Sequence, residues 1–152
     1  MKTFYLIVFG LTFSLSNLLG QSFEIEHIIA AIQKDHFHGW PANNGVWVWG
    51  NEILVGLTQV EYEEADGHNI KEGAPHLSLL SRSKDGGRTW IMFDPDNYVG
   101  DGGTKSKLQS PINFKHKDFA LRIVGTTYHG NTDPEGSFFY SYDRGSTWNG
   151  PY

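Results

Sequence analysis

The sequence predicts an all-β chain built from a repeated unit of about four antiparallel strands. Three observations predict it. Short runs rich in Val, Ile, Leu and aromatic residues alternate with clusters of Gly, Asp, Asn and Pro, which is the punctuation of strands and turns. The chain of 152 residues has 18 Gly beside five Trp and ten Phe, enough apolar area for a core and little sign of long helices. Two octapeptides also match each other. Ser83-Lys84-Asp85-Gly86-Gly87-Arg88-Thr89-Trp90 and Ser141-Tyr142-Asp143-Arg144-Gly145-Ser146-Thr147-Trp148 share the pattern Ser-x-Asp-x-Gly-x-Thr-Trp.

Residues 1–20 read as a secretory signal peptide. Lys2 supplies the positive start, Phe4 to Leu11 is apolar except for Gly10, and Thr12, Ser14, Ser16 and Asn17 make the rest of the segment more polar. Cleavage is expected near Gly20–Gln21. The alternative is an uncleaved anchor, for which the apolar run is short. The chain has no Cys, so neither a lipidated Cys nor a disulfide is available. Export without disulfides suits a bacterial envelope or the medium, so a secreted or periplasmic location is expected, with no membrane association after cleavage.

The mature part, residues 21–152, is taken in order. Phe23–Ile32 alternates at Phe23, Ile25 and His27 and is expected as a strand, although Ile28–Ile32 could equally form a helical turn. Val46–Trp49 and Ile53–Thr58 flank Gly50–Asn51 and read as a hairpin. Glu61–Pro75 is polar and reads as a long loop. Leu77–Ser83 is the next strand, Asp85-Gly86-Gly87 a turn, and Thr89–Phe93 the return. Asp94–Ser110 is loop. Then the series repeats: a short strand at Ile112–Phe114, a strong one at Phe119–Tyr128, a loop at His129–Gly136, a strand at Ser137–Tyr142, a turn at Asp143–Gly145 and a return at Thr147–Trp148.

The physical chemistry of the octapeptide fits the tip of a hairpin. An Asp carboxylate can accept from backbone N–H groups just after it, and Gly two residues on allows a positive φ. Ser and Thr hydroxyls add bonds to the backbone, and Trp returns the chain to the core. Asp85 and Asp143 are therefore expected as turn formers and not as acids in a reaction. The same holds for Ser83, Gly87, Thr89 and Trp90, and for Ser141, Gly145, Thr147 and Trp148.

The two octapeptides resemble the Asp-box, or bacterial neuraminidase repeat, of the sialidase-like superfamily. The resemblance covers about Gly45 to Tyr152. It implies a β-propeller in which each box joins the third and fourth strands of a blade, with blade one at about 45–93 and blade two at about 111–152. The boxes lie 58 residues apart from Ser83 to Ser141, somewhat more than the ~40–50 of common blades, and the loop at Asp94–Ser110 absorbs the excess. Propellers close at about four to eight blades, six in the sialidases. The chain is thus expected to be the N-terminal part of a longer propeller. A ring closed by several copies is the alternative.

The resemblance also implies a function: an exported glycoside hydrolase acting on terminal sugars of glycans, inactive as this part alone. Sialidases hold the substrate carboxylate with three Arg, use a Tyr nucleophile paired with Glu, and use an Asp as acid/base. The Phe-Arg-Ile-Pro motif that carries the first Arg corresponds to Phe37-His38-Gly39-Trp40-Pro41, where the Arg is absent. Asp66 occupies the loop comparable to that of the acid/base. A non-catalytic propeller that binds carbohydrate or protein is the rival reading.

The remaining candidates follow from residue type. His36 and His38 point the same way on a strand and, with His68 or His129, could line a sugar site or hold a metal. No metal is expected, since no HExxH or Cys-based spacing is present, and no cofactor is expected. Trp40, Trp47 and Trp49 could stack on a sugar ring, and all three read first as core. Asn43 and Asn44 are expected at the pocket mouth. Asp133 follows Asn131 in a polar loop that reads first as a turn and second as pocket lining. The formal net charge is −5, one unit more acidic once Lys2 is removed, and no basic block occurs. Nucleic acid is therefore not an expected partner. A glycan is.

Overall fold

The computed structural model describes residues 24–98, 104–125 and 136–152. Strands dominate it, in two antiparallel sheets that do not close into a barrel. The expected signal peptide lies outside the described residues.

The first sheet is built around one long strand. Strand β3 (Glu52–Glu61) pairs on one edge with β4 (Leu77–Ser83), from Ile53↔Ser83 to Gln59↔Leu77. Its other edge carries two shorter strands in line. These are β1 (His36–Gly39), which covers Thr58 to Glu61, and β2 (Val46–Trp49), which covers Glu52 to Val55. Strand β5 (Ile91–Phe93) completes the sheet beside β4. The expected hairpin at Gly50–Asn51 forms with Gly50 at φ 63, and the loop before β4 and the return after the first box form as expected.

The break between β1 and β2 has a local cause. Trp40 sits at φ 55, in the left-handed region, and Pro41 opens a single helical turn, α1 (Pro41–Asn44). That turn lies against β3 where Gly56 leaves room. A Cβ at Gly56 would stand 2.5 Å from the Asn44 carbonyl oxygen, and the Gly56 N–H donates to the Gly45 carbonyl at 2.8 Å. The closeness of α1 to the sheet is thus written into one glycine.

The second sheet pairs β6 (Ala120–Gly125) with β7 (Gly136–Ser141), from Ala120↔Ser141 to Gly125↔Gly136. The return after the second box is an irregular strip. The Asn149 and Tyr140 backbones bond reciprocally, as do those of Tyr152 and Phe138. Two sequence expectations are corrected here. Ile112–Phe114 is not a strand, because Asn113 turns the chain: its carbonyl accepts from the His116 N–H and its side chain from the Lys115 N–H. The second round therefore has two regular strands, not four, among the described residues. The described part of Phe23–Ile32 is not a strand either. Residues 24–32 meet the face of the first sheet, where the Ser81 hydroxyl donates to the Ala30 carbonyl, and a face has no backbone edge to pair with.

The core lies between the sheets. Leu54 and Leu80 from the first meet Ala120, Val124 and Phe139 from the second, with Tyr98 and Trp148 among them. Trp47, Trp49 and Phe93 pack against this cluster, so the tryptophans of β2 are core residues. Overlaying the boxes pairs Leu80 with Phe138 and Ser81 with Phe139. Leu80 and Phe139 face each other across the core, whereas Ser81 looks away toward Ala30, and Phe138 lines a groove on the outer side of the second sheet. The two sheets are thus related head to tail. Two equivalent faces pressed together, as in a two-fold sandwich, would have put the same positions of both sheets in the core.

The two box turns are near-copies. In the first, the Ser83 hydroxyl accepts from the Gly87 N–H at 2.8 Å and donates to Asp85 Oδ1 at 2.8 Å. Asp85 Oδ1 also accepts from the Arg88 and Thr89 N–H groups, at 3.0 and 2.9 Å, and Oδ2 accepts the Thr89 hydroxyl at 2.6 Å. In the second, Ser141 Oγ accepts from the Gly145 N–H at 2.8 Å and donates to Asp143 at 2.7 Å. The Ser146 and Thr147 N–H groups reach Asp143 Oδ1 at 3.0 and 2.9 Å, and the Thr147 hydroxyl reaches Oδ2 at 2.7 Å. Both serines are buried and each satisfies several polar atoms at once. Ser83→Ala and Ser141→Ala are each expected to cost about 1–3 kcal/mol, the penalty for a buried donor or acceptor left without its partner, readable as a lowered urea midpoint at unchanged m-value.

Candidate functional site

The candidate residues converge on one end of the first sheet, where β1, α1 and the 62–76 loop meet. The structure divides them into two groups on opposite faces of β1. Phe37 and Trp40 lie together, ring centroids 5.1 Å apart. His68 comes from the long loop to stand edge-on to Trp40 at 5.1 Å. His76, just before β4, stacks on Trp40 at 5.9 Å with the planes 7° apart. This makes a half-buried aromatic cluster with exposed histidines at its margin. Phe37 takes its place there because its ring lies over Gly39, where a Cβ would come within 2.5 Å of it.

His36 and His38 alternate with Phe37 and so occupy the other face. His38 Nε2 meets Gln59 Oε1 at 2.9 Å, directly across the β1–β3 pair, and His36 Nδ1 bonds the Lys34 carbonyl at 2.8 Å. The expected grouping of His36 and His38 with His68 is not formed. Among the described residues there is no cluster of three or more His, Cys, Asp or Glu fit for a metal.

Asn44 is corrected from the pocket mouth to the interior. It is 4% exposed. Its Nδ2 donates to the Trp40 carbonyl at 2.9 Å and to Thr58 Oγ1 at 3.1 Å, and its Oδ1 accepts from Arg122 of β6 at 2.9 Å. Asn44 is therefore a bracket between α1, β3 and the second sheet. Asn43 is exposed on α1. Asp66 is exposed on the long loop, two residues before His68. The loop is pinned at its base, where Lys71 bonds Glu61 through both side chain, at 2.6 Å, and backbone, at 2.9 Å. His129 and Asp133 lie outside the described residues.

The box aspartates have both oxygens engaged. The Thr89 hydroxyl, then the Thr89 N–H and the Ser83 hydroxyl, hold the Asp85 carboxyl well below the ordinary carboxylate range. Burial pushes Asp143 up, but bonds from Ser141, Thr147 and Ser146 outweigh it and keep this carboxyl low too. Such groups stay ionised acceptors at neutral pH and have no proton to give.

The arginines were not singled out from the sequence, yet they organise the charge. Glu52 on β3 sits between Arg82 on β4 and Arg144 of the second box, with Arg144 Nη1 2.8 Å from Glu52 Oε2. Arg144 also reaches Asp118 at 2.7 Å, and Arg82 Nη2 donates to the Arg144 carbonyl at 2.9 Å. Burial pushes the Glu52 carboxyl up, but the bonds from Arg144 and Arg82 outweigh it and lower it overall. Arg122 is 5% exposed, bonds Asn44 and Ser78, and lies 4.2 Å over the Tyr98 ring. Arg88 donates to the Asp85 carbonyl at 3.0 Å. The signal for the cross-sheet clamp was available: an Arg at the variable fourth position of the second box, where the first has Gly86. Its partner Glu52 is distant in sequence, and no local pattern points to it.

No protein-family model, curated protein or solved structure matches this chain.

Proposed function

We propose that the chain is an Asp-box sheet pair of the sialidase-like, propeller kind, the N-terminal part of an exported protein that engages terminal sugars of glycans. The observation that carries this reading is the pair of equivalent box turns on two sheets related head to tail. Radial arrays are made by repeating one such relation. The first sheet also supports the reading, since its box joins the third and fourth positions of a four-position antiparallel meander. Binding sites of repeat architectures gather on the loops at one end of their sheets. Trp40, His68 and His76 supply an apolar plane with polar edges there, the surface a sugar ring accepts.

Two chemistries are open to such a site. In the hydrolytic one, Asp66 is the acid/base on its exposed loop and the nucleophile comes from elsewhere in the array. In the other, the loops bind the glycan and do nothing more. The arginine positions favour binding. Arg82, Arg122 and Arg144 hold the two sheets together, Arg88 bonds its own turn, and the position comparable to the first carboxylate-binding Arg is His38. Among the described residues, no group of guanidinium ions is left to clamp a substrate carboxylate.

The full-length protein is expected to bind terminal-sugar glycans saturably and to leave a fluorogenic sialoside intact. Trp40→Ala should weaken binding about tenfold, the loss of roughly 1.4 kcal/mol of stacking. Turnover that falls about a hundredfold or more in Asp66→Asn would establish the hydrolase instead. Absence of both binding and turnover across a glycan panel would sink the carbohydrate reading.

A further inference from the structure

We propose that a hydrogen-bonded chain running from Arg122 of the second sheet through Asn44 to the Trp40 carbonyl holds the Trp40 ring in its binding position, so that the aromatic plate forms only while the second sheet is docked. The proposal rests on Trp40 as the sugar-binding surface. It goes beyond that reading by making Asn44 a positioning residue and the sheet contact a control on the site.

The need for such a support starts in the strand pattern. Side chains alternate along a strand, so β1 continued past Gly39 would put Trp40 on the face of His36 and His38. The ring lies instead with Phe37, 5.1 Å away, and against His68 and His76. A left-handed turn at Trp40, φ 55 and ψ 45, makes the change of face. That conformation is uncommon for a bulky residue and persists only where the surroundings over-determine it. The turn that follows is too short to do so alone. Helix α1 has four residues, and one turn has no cooperative stability of its own.

The Trp40 carbonyl is where the holding forces meet. It accepts from the Asn43 and Asn44 N–H groups at 3.1 and 3.2 Å and from Asn44 Nδ2 at 2.9 Å, and the side-chain bond is the shortest of the three. Asn44 Nδ2 also donates to Thr58 Oγ1 of β3 at 3.1 Å, and Asn44 Oδ1 accepts from Arg122 Nη2 at 2.9 Å. A guanidinium only donates and a carbonyl only accepts, so the amide between them has one orientation. Arg122 is fixed in turn by Ser78 Oγ at 2.8 Å and by the Tyr98 ring at 4.2 Å. Asn44 and Arg122 are 4% and 5% exposed, so bulk solvent does not replace a lost bond. With Arg122 withdrawn, the Asn44 amide is free to rotate and its bond to Trp40 weakens. Trp40 then returns toward negative φ, which swings the ring off His68 and His76.

The test is fluorine nuclear magnetic resonance of the full-length protein labelled with fluorotryptophan. The resonances of Trp40, Trp90 and Trp148 are assigned by Trp40→Phe, Trp90→Phe and Trp148→Phe. Trp148, in the core between the sheets, reports their docking, and Trp90, on the first box turn, is the control. Asn44→Asp keeps an acceptor for Arg122 and loses both side-chain donors. It should displace the Trp40 resonance and leave Trp148 and Trp90 in place. Arg122→Met should displace Trp40 as well, with Trp90 unmoved. A Trp40 resonance unmoved in either folded variant overturns the proposal. Equal displacement of all three resonances by Asn44→Asp also overturns it, because that is general loosening and not positioning. Where a variant loses the fold, seen as collapse of the resonance dispersion, a milder one decides by the same criterion: Thr58→Val at the amide end, Arg122→Lys at the sheet end. The readout needs no ligand, so an unmoved Trp40 sinks the chain of bonds alone, whereas a wild type that binds no glycan sinks the sugar reading by its own test.

Discussion

Trp148→Ala is expected to lower stability by about 3–5 kcal/mol, whereas Trp90→Ala, at the same position of the other box, should cost about 1–2 kcal/mol. The residues are equivalent in sequence and unequal in surroundings. Trp148 is 3% exposed. Its ring meets Trp47 at 5.6 Å and Tyr98 at 5.0 Å in the core between the sheets. Trp90 is half-buried on its own turn, its indole N–H donating to the Gly87 carbonyl at 2.7 Å. The glycines repeat the contrast. A Cβ on Gly145 would stand 2.4 Å from Leu54 Cδ2, whereas one on Gly87 would meet nothing closer than 3.6 Å. The second box is seated on a neighbouring sheet, and the first is not seated in the same way. Denaturant midpoints of the two variants check this directly, and equal losses would mean that the sheets are not packed head to tail.

The second large effect concerns the clamp at Glu52. Glu52→Gln is expected to cost about 2–3 kcal/mol at neutral pH. Its side chain and that of Arg82 are 16% and 13% exposed, and removing the one anion between two guanidinium groups leaves them facing each other. The pH dependence follows from the same contacts. Glu52, Asp85, Asp118 and Asp143 all have carboxyls lowered in the folded chain from ordinary values of 4.5 for Glu and 3.8 for Asp. A depressed folded value contributes stability that is present above the unfolded value and is lost as pH falls through the folded one. Unfolding free energy should therefore hold near neutrality, begin to fall below about pH 4.5, and fall faster below about pH 3.8 as the aspartates follow. Glu52→Gln should start lower and show a shallower acid limb. An acid limb of unchanged slope would show that the clamp does not hold the sheets together.

How much of this was legible beforehand depended on how local the cause was. The hairpin at Gly50–Asn51, the strand Leu77–Ser83 and both box turns come from interactions within a few residues, and the sequence displays them. Ile112–Phe114 shows the limit. Three residues of strand-like composition turn at Asn113, whose side chain offers the backbone a competing bond. The candidate site was legible in its residue types and less so in its grouping. Trp40 and His68 meet, yet His76 was not anticipated as their neighbour, because β3 and the long loop must both be placed before it comes near. Asn44 looked like a surface amide and proved to be a buried bracket, since only the packing of α1 over Gly56 and the arrival of Arg122 from β6 could put it inside.

The sequence by itself determined the strand class, the two turns and the ionised state of their aspartates, because short-range geometry and hydrogen bonds within one octapeptide suffice for these. The tertiary structure alone decided which box tryptophan is core and which faces are covered. It also decided that the arginines join sheet to sheet. Each of these depends on surfaces brought together from residues as far apart as Glu52 and Arg144, and burial is a property of such meetings and not of any stretch of chain.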